Sequence, residues 1–156
     1  MVLHLGGGLE LVLSTDIRIF ADNIKVGLPE INLGIMPGYG GTQRLSRLVG
    51  KAKAKEIILT GEAITAQEAY NIGLCNKIVS QDDLLNEAFI LASKIASKGQ
   101  IAVKNIKKTI DEGLEKTLKE GLELEAHNFG LLCETEDKNE GVSAFIEKRK
   151  PNFKNC

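Results

Sequence analysis

Two carboxylates stand where carboxylates are unexpected. Glu10 is the only charge in Leu9-Glu10-Leu11-Val12-Leu13, directly after Gly6-Gly7-Gly8, and Glu30 sits between Pro29 and Ile31. A glutamate on an apolar segment is costly to bury unpaired, and a carboxyl in such surroundings suits acid–base work near neutral pH. A plainer account also holds. Acids in the first turn of a helix are favoured by its dipole, and both positions lie near expected helix starts. The triple glycine adds a second chemical possibility. Exposed backbone N–H groups at a helix start form an anion hole, which could hold a carbonyl oxygen that becomes negative during reaction. An oxyanion donor beside one or two acids points to chemistry at carbon atoms conjugated to a carbonyl.

Other chemistries find no support in the motifs. Gly50-Lys51 lacks the upstream Gly and the following Ser or Thr of a phosphate-binding loop. Gly38-x-Gly40 is followed by Gln43 where the dinucleotide fingerprint needs a third Gly. There is no G-x-S-x-G elbow. His4 and His127 stand alone, so no metal is expected and each is read as an exposed or helix-surface residue. Cys75, Cys133 and Cys156 form no C-x-x-C pair. Their odd number and wide spacing fit a reducing compartment. Cys75 and Cys133 are read as small buried hydrophobes, and Cys156 as a frayed terminal thiol.

The composition bounds the rest. The chain has 156 residues, 43% hydrophobic and 26% charged, which is one domain's worth of ordinary globular sequence. Lys plus Arg is 20 against 21 for Asp plus Glu, so no overall positive field draws nucleic acid or an anionic membrane. No stretch approaches the roughly 18 apolar residues of a membrane helix, and Met1-Val2-Leu3-His4-Leu5 lacks a basic leader. A cytoplasmic protein is expected.

The elements that must position the two acids follow from local pattern. A helical run is expected over Leu9–Thr15, a strand over Asp16–Ala21 and a short extended piece at Lys25-Val26-Gly27. Leu28-Pro29-Glu30 reads as the start of a short helix, because Pro is preorganised at the first helical position. Pro37-Gly38-Tyr39-Gly40-Gly41 is a loop that permits close backbone approach. Helices are expected over Thr42–Val49, ending at Gly50, and over Ala52–Leu59. Thr65-x-x-Glu68 and Thr117-x-x-Glu120 are capping boxes that open two more. Cys75–Val79 reads as a strand, and Ser80 as the cap of a helix to about Lys98 with Leu84, Leu85, Ala88, Leu91, Ala92 and Ile95 as its apolar stripe. Further helices are expected over Ile101–Glu112 and from Thr135 toward Lys148, ended by Pro151. The helical second half carries more apolar stripe than the glycine-rich first half can cover, which calls for a partner subunit or more of the fold.

Taken in order, the motifs resemble the enoyl-CoA hydratase (crotonase) family. The resemblance rests on Leu5-Gly6-Gly7-Gly8-Leu9-Glu10-Leu11, Asp16, Leu28-Pro29-Glu30-Ile31-x-Leu33-Gly34 and Pro37-Gly38-x-Gly40-Gly41-Thr42-Gln43-Arg44-Leu45. Leu59-Thr60-Gly61, Ile64, Ala66, Ala69, Gly73-Leu74 and Glu140-Gly141-x-x-Ala144-Phe145-x-Glu147-Lys148-Arg149 extend it to Lys154. It implies an α/β fold: a partial crotonase-like ββα spiral over residues 1–61, then a mainly helical C-terminal oligomerisation region over 62–156 that also completes the core. It implies an acyl-CoA thioester as substrate, no cofactor beyond the coenzyme A of that substrate, and a homo-oligomer, a trimer or dimer of trimers. Gly7 would donate a backbone N–H to the thioester oxygen. Glu10 and Glu30 would hold a water, the first taking its proton and the second delivering one to the α-carbon. Gly38 would lie in the loop closing the site, and Phe145 and Lys148 match positions that in the family contact coenzyme A, often from a neighbouring subunit. Keeping both acids favours hydration of a trans-2-enoyl-CoA, crotonyl-CoA for example, over isomerisation. Agreement with the family pattern stops upstream of Leu5. The expectation is therefore a truncated or mis-started chain, weak or inactive alone, with a non-catalytic oligomerising fragment as a further alternative.

Overall fold

The computed structural model describes residues 3–156, with side chains from residue 5 onward. The expectation for the side chain of His4 lies outside them, as do Met1 and Val2. The architecture is mixed α/β, as the sequence implies, and divides into two compact units, one ending at Ala88 and the other running Phe89–Cys156.

The first unit is built around short strands and the helices between them. Strand β1 (Leu3–Leu5) pairs in parallel with β3 (Lys25–Gly27), placing Leu5 opposite Gly27. β4 (Ile64–Thr65) adds antiparallel to β3 with Val26 opposite Ile64. Separately, β2 (Ile19–Ala21) pairs in parallel with β5 (Lys77–Val79). Helix α1 (Gly7–Val12) leaves β1 at once, because Gly6 at φ +57 turns the chain sharply. A 3-10 turn, Pro29–Leu33, follows β3 and ends on Gly34 in the left-handed region. Helices α2 (Gly41–Val49) and α3 (Lys51–Thr60) come next, then α4 (Ala66–Asn71) with the full capping box of Thr65 and Glu68. Leu9, Phe20, Val26, Leu28, Leu45, Ile57, Ala69 and Leu74 close the core of this unit.

The second unit is helical. Helix α5 (Leu84–Ala96) spans the boundary, and α6 (Gln100–Gly113), α7 (Leu118–Cys133) and α8 (Glu136–Ile146) follow. α6 and α7 form a hairpin whose backbones approach closely where Gly113 faces Gly121. Asn128 is buried and donates from Nδ2 to Thr109 Oγ1 at 2.7 Å, joining the same two helices. The tail after α8 is strapped back. The backbone N–H groups of Lys154 and Asn155 donate to the buried Asp137 carboxylate, and Glu140 takes a bidentate pair from Arg149 plus the Asn152 N–H.

Several local expectations need correction. α1 starts at Gly7 and stops at Val12, because the Ser14 and Thr15 hydroxyls donate to the carbonyls of Leu11 and Val12 and close a turn there. Ser80 does not cap α5. Its hydroxyl pairs with the Asp83 side chain and accepts the Asp83 N–H, so residues 81–83 form a turn and the helix begins at Leu84. Cys75 is buried as expected, but Cys133 is exposed. Cys156 is exposed too, yet its carbonyl accepts the Asp137 N–H, so it is held rather than frayed. His127 is exposed on α7. Among the described residues no helix is long and apolar enough to cross a membrane.

Candidate active site

The first turn of α1 gathers the chemistry. Glu10, its fourth residue, is only 2% exposed. One carboxylate oxygen, Oε1, accepts two backbone N–H bonds, from Tyr39 at 2.8 Å and from Gly41 at 2.8 Å. These donors belong to the loop before α2 and to that helix's first residue, so the carboxylate also sits at the positive end of the α2 dipole. Gly41 has to be glycine for this to occur. A Cβ there would stand 2.8 Å from Glu10 Oε1, 2.9 Å from Pro37 Cβ and 3.0 Å from Leu28 Cδ1.

Glu30 approaches the same turn from the other side. Its Oε1 lies 3.0 Å from where a Gly6 Cβ would be, so Gly6 serves both the left-handed turn and the approach of this carboxylate. Its other oxygen, Oε2, is buried and has no hydrogen-bond partner among the described residues. An unpaired buried acceptor is costly to a fold and uncommon enough to need an explanation. The 3-10 turn that presents Glu30 follows β3 directly, whose strand-mate β1 leads into α1. The β1–β3 pairing thereby brings Glu30 beside Gly6, at the head of the helix that carries Glu10.

Gly7 is the first residue of α1 and is exposed, and its N–H has no carbonyl a turn earlier in the helix to meet. The ring of Tyr39 lies beside it, 3.7 Å from an ideal Cβ on Gly7, and Tyr39 is itself 81% exposed. Gly38 is exposed in the same loop with open space around its Cα. The structure thus groups Glu10, Glu30, Gly7 and the Gly38 loop. Phe145 and Lys148 belong to the second unit. Phe145 is 85% exposed on α8, where it lines an apolar groove with Phe129, Val142 and Phe153. Lys148 is exposed at φ +55, where the chain turns out of α8. Among the described residues no group of His, Cys, Asp and Glu could hold a metal ion.

Sequence reasoning missed the amide grip on Glu10 by Tyr39 and Gly41. Backbone donors carry no residue signature, and the only trace was the crowding of glycines in the loop.

The chain with this β–α framework followed by helices has a clear family. The chain belongs to the enoyl-CoA hydratase/isomerase family, whose pattern it matches over residues 3–156. It is 50% identical over 149 residues to a crotonyl-CoA hydratase of Syntrophomonas wolfei, covering 96% of this chain and 57% of that protein. To a short-chain-enoyl-CoA hydratase of Clostridium acetobutylicum it is 49% identical over 152 residues, covering 97% of this chain and 58% of that one. Among solved structures, an enoyl-CoA hydratase from Bacillus anthracis superposes with a TM-score of 0.97 at 45% identity, covering 99% of this chain and 60% of that chain. The chain therefore spans less than two thirds of the length of these relatives.

Proposed function

We propose that the two carboxylates serve a hydratase/dehydratase that interconverts a trans-2-enoyl-CoA and a 3-hydroxyacyl-CoA. The observation that carries this reading is Glu30 Oε2, buried and unpaired beside the turn where Glu10 is held by backbone amides. An acceptor of that kind is suited to an O–H group from outside the chain. In the hydration direction, Glu10 takes a proton from water as the water oxygen bonds to the β-carbon. Electron density moves through the former double bond toward the thioester oxygen, and Glu30, entering this step as the carboxylic acid, delivers its proton to the α-carbon and is left as the carboxylate. The N–H of Gly7 is assigned to the thioester oxygen, where developing charge is stabilised. Gly38 is assigned to the acyl end, and Phe145 and Lys148 to coenzyme A, with Lys148 as a point charge for phosphate. The names of the relatives support short acyl chains.

The test is turnover of crotonyl-CoA by the purified chain, with Glu10→Gln and Glu30→Gln alongside. Each variant is expected to lose roughly 10²–10⁴-fold in turnover, the contribution of a positioned acid or base. Unchanged turnover in both variants overturns the assignment. Isomerisation of a 3-enoyl-CoA without any hydration would identify the other chemistry in the family's name.

A homo-oligomer is part of the proposal. Its support is the large apolar surface of the second unit, including Leu114 at 80% exposure and Phe129, Phe145 and Ile146. Exposed apolar patches of this kind mark interaction surfaces.

A further inference from the structure

We propose that Arg44 is the positioning residue for Glu10: its guanidinium fixes the loop peptide that lies between the two amides gripping the carboxylate. The donors to Glu10 Oε1 are the N–H groups of Tyr39 and Gly41. The peptide between them joins Tyr39 to Gly40, and its carbonyl accepts from Arg44 Nη1 at 2.8 Å. The next carbonyl along, that of Gly40, accepts the Arg44 backbone N–H at 2.8 Å. One residue thus holds two successive carbonyls of the loop, one with its side chain and one with its main chain.

Two further observations point the same way. Gly40 lies at φ +100, and the Arg44 guanidinium covers it in the space that a side chain at Gly40 would need. A loop containing Gly38, Gly40 and Gly41 has many backbone states of similar energy, and Arg44 selects the one in which both amides face Glu10. The placement also runs against local electrostatics. Arg44 is the fourth residue of α2, near the positive end of a helix dipole, where a cation is disfavoured. Its hydrogen bond to the loop offsets that cost. A lysine could supply the charge but not the plane that both covers Gly40 and donates to Tyr39.

The catalytic consequence rests on the hydratase reading; the positioning does not. The test has two measurements on the whole chain, in Arg44→Ala and Arg44→Lys. The first is amide hydrogen exchange at Tyr39 and Gly41. Arg44→Ala is expected to raise both rates about tenfold or more by local opening, with the amides of α3 and β3 unchanged and Arg44→Lys between. Unchanged rates at Tyr39 and Gly41 overturn the proposal. So does a uniform rise through α2 and α3, which would mean general loosening. The second is crotonyl-CoA turnover, where kcat is expected to fall about tenfold with KM held. A rise in KM alone overturns the link to Glu10. Faster exchange at the two amides in a chain that hydrates nothing supports the positioning and overturns the hydratase reading instead.

Discussion

At the scale of single residues, the acids of this chain divide by what holds them. Glu10 is held by main-chain amides, whereas Glu140 is held by a side chain. Arg149 pairs with Glu140 at 2.6 and 2.9 Å and the Asn152 N–H adds a third bond, which together lower the Glu140 carboxyl to about 2. The folded value lies below the unfolded one. The stabilisation is therefore complete above the ordinary glutamate range of about 4.3 and is lost as pH falls through about 2. An NMR titration of the Glu140 carboxyl carbon should show an inflection near about 2 that moves back toward the ordinary range in Arg149→Gln. An ordinary inflection in the unaltered chain would show that the tail is not strapped in this way. The identity of Glu10 as a site candidate was legible because it is a lone charge in an apolar run. Its partners were not, since a carboxylate meeting amides some thirty positions away leaves no local pattern.

At the scale of elements, capping chemistry decided what could be foreseen. Thr65 and Glu68 satisfy each other's backbone N–H groups at the start of α4, and Thr117 and Glu120 repeat this at α7. These boxes are complete within four residues, so the sequence shows them outright. Thr65→Ala should lower the unfolding free energy by about 1 kcal/mol, the usual worth of such a cap, read from urea denaturation with an unchanged slope. Thr65→Ser should retain most of it. Ser80 misled because its cap-like bonds to the Asp83 N–H and carboxylate close a turn over residues 81–83, one step before the helix begins at Leu84. The strands were legible mainly as extended segments. Their pairing was not, because β1 with β3 and β2 with β5 join residues separated by whole helices and loops. It is this non-local pairing that carries Glu30 to Gly6.

At the scale of the whole molecule, burial is unequal. Almost every buried hydrophobic side chain described lies in the first unit, and in the second Ala144 is the one that is buried. The excess of helical stripe was visible in the sequence, and even with α6 and α7 packed on each other, large side chains such as Phe89, Ile110, Leu118 and Phe129 stay exposed. If those faces meet other copies, concentrating the protein should raise its mass by light scattering and slow hydrogen exchange in α6–α8. A constant monomer mass would remove the oligomer from the proposal. The same imbalance matters during synthesis. Because translation runs from the N-terminus, the glycine-rich unit can finish closing its interior while residues 89–156 are still being added, which takes roughly 3–14 s at 5–20 residues per second. The greasy helices of the second unit emerge after the first and keep many large apolar side chains exposed. The nascent chain is thus most open to chaperones, and to misassembly on crowded polysomes, while residues 89–156 emerge.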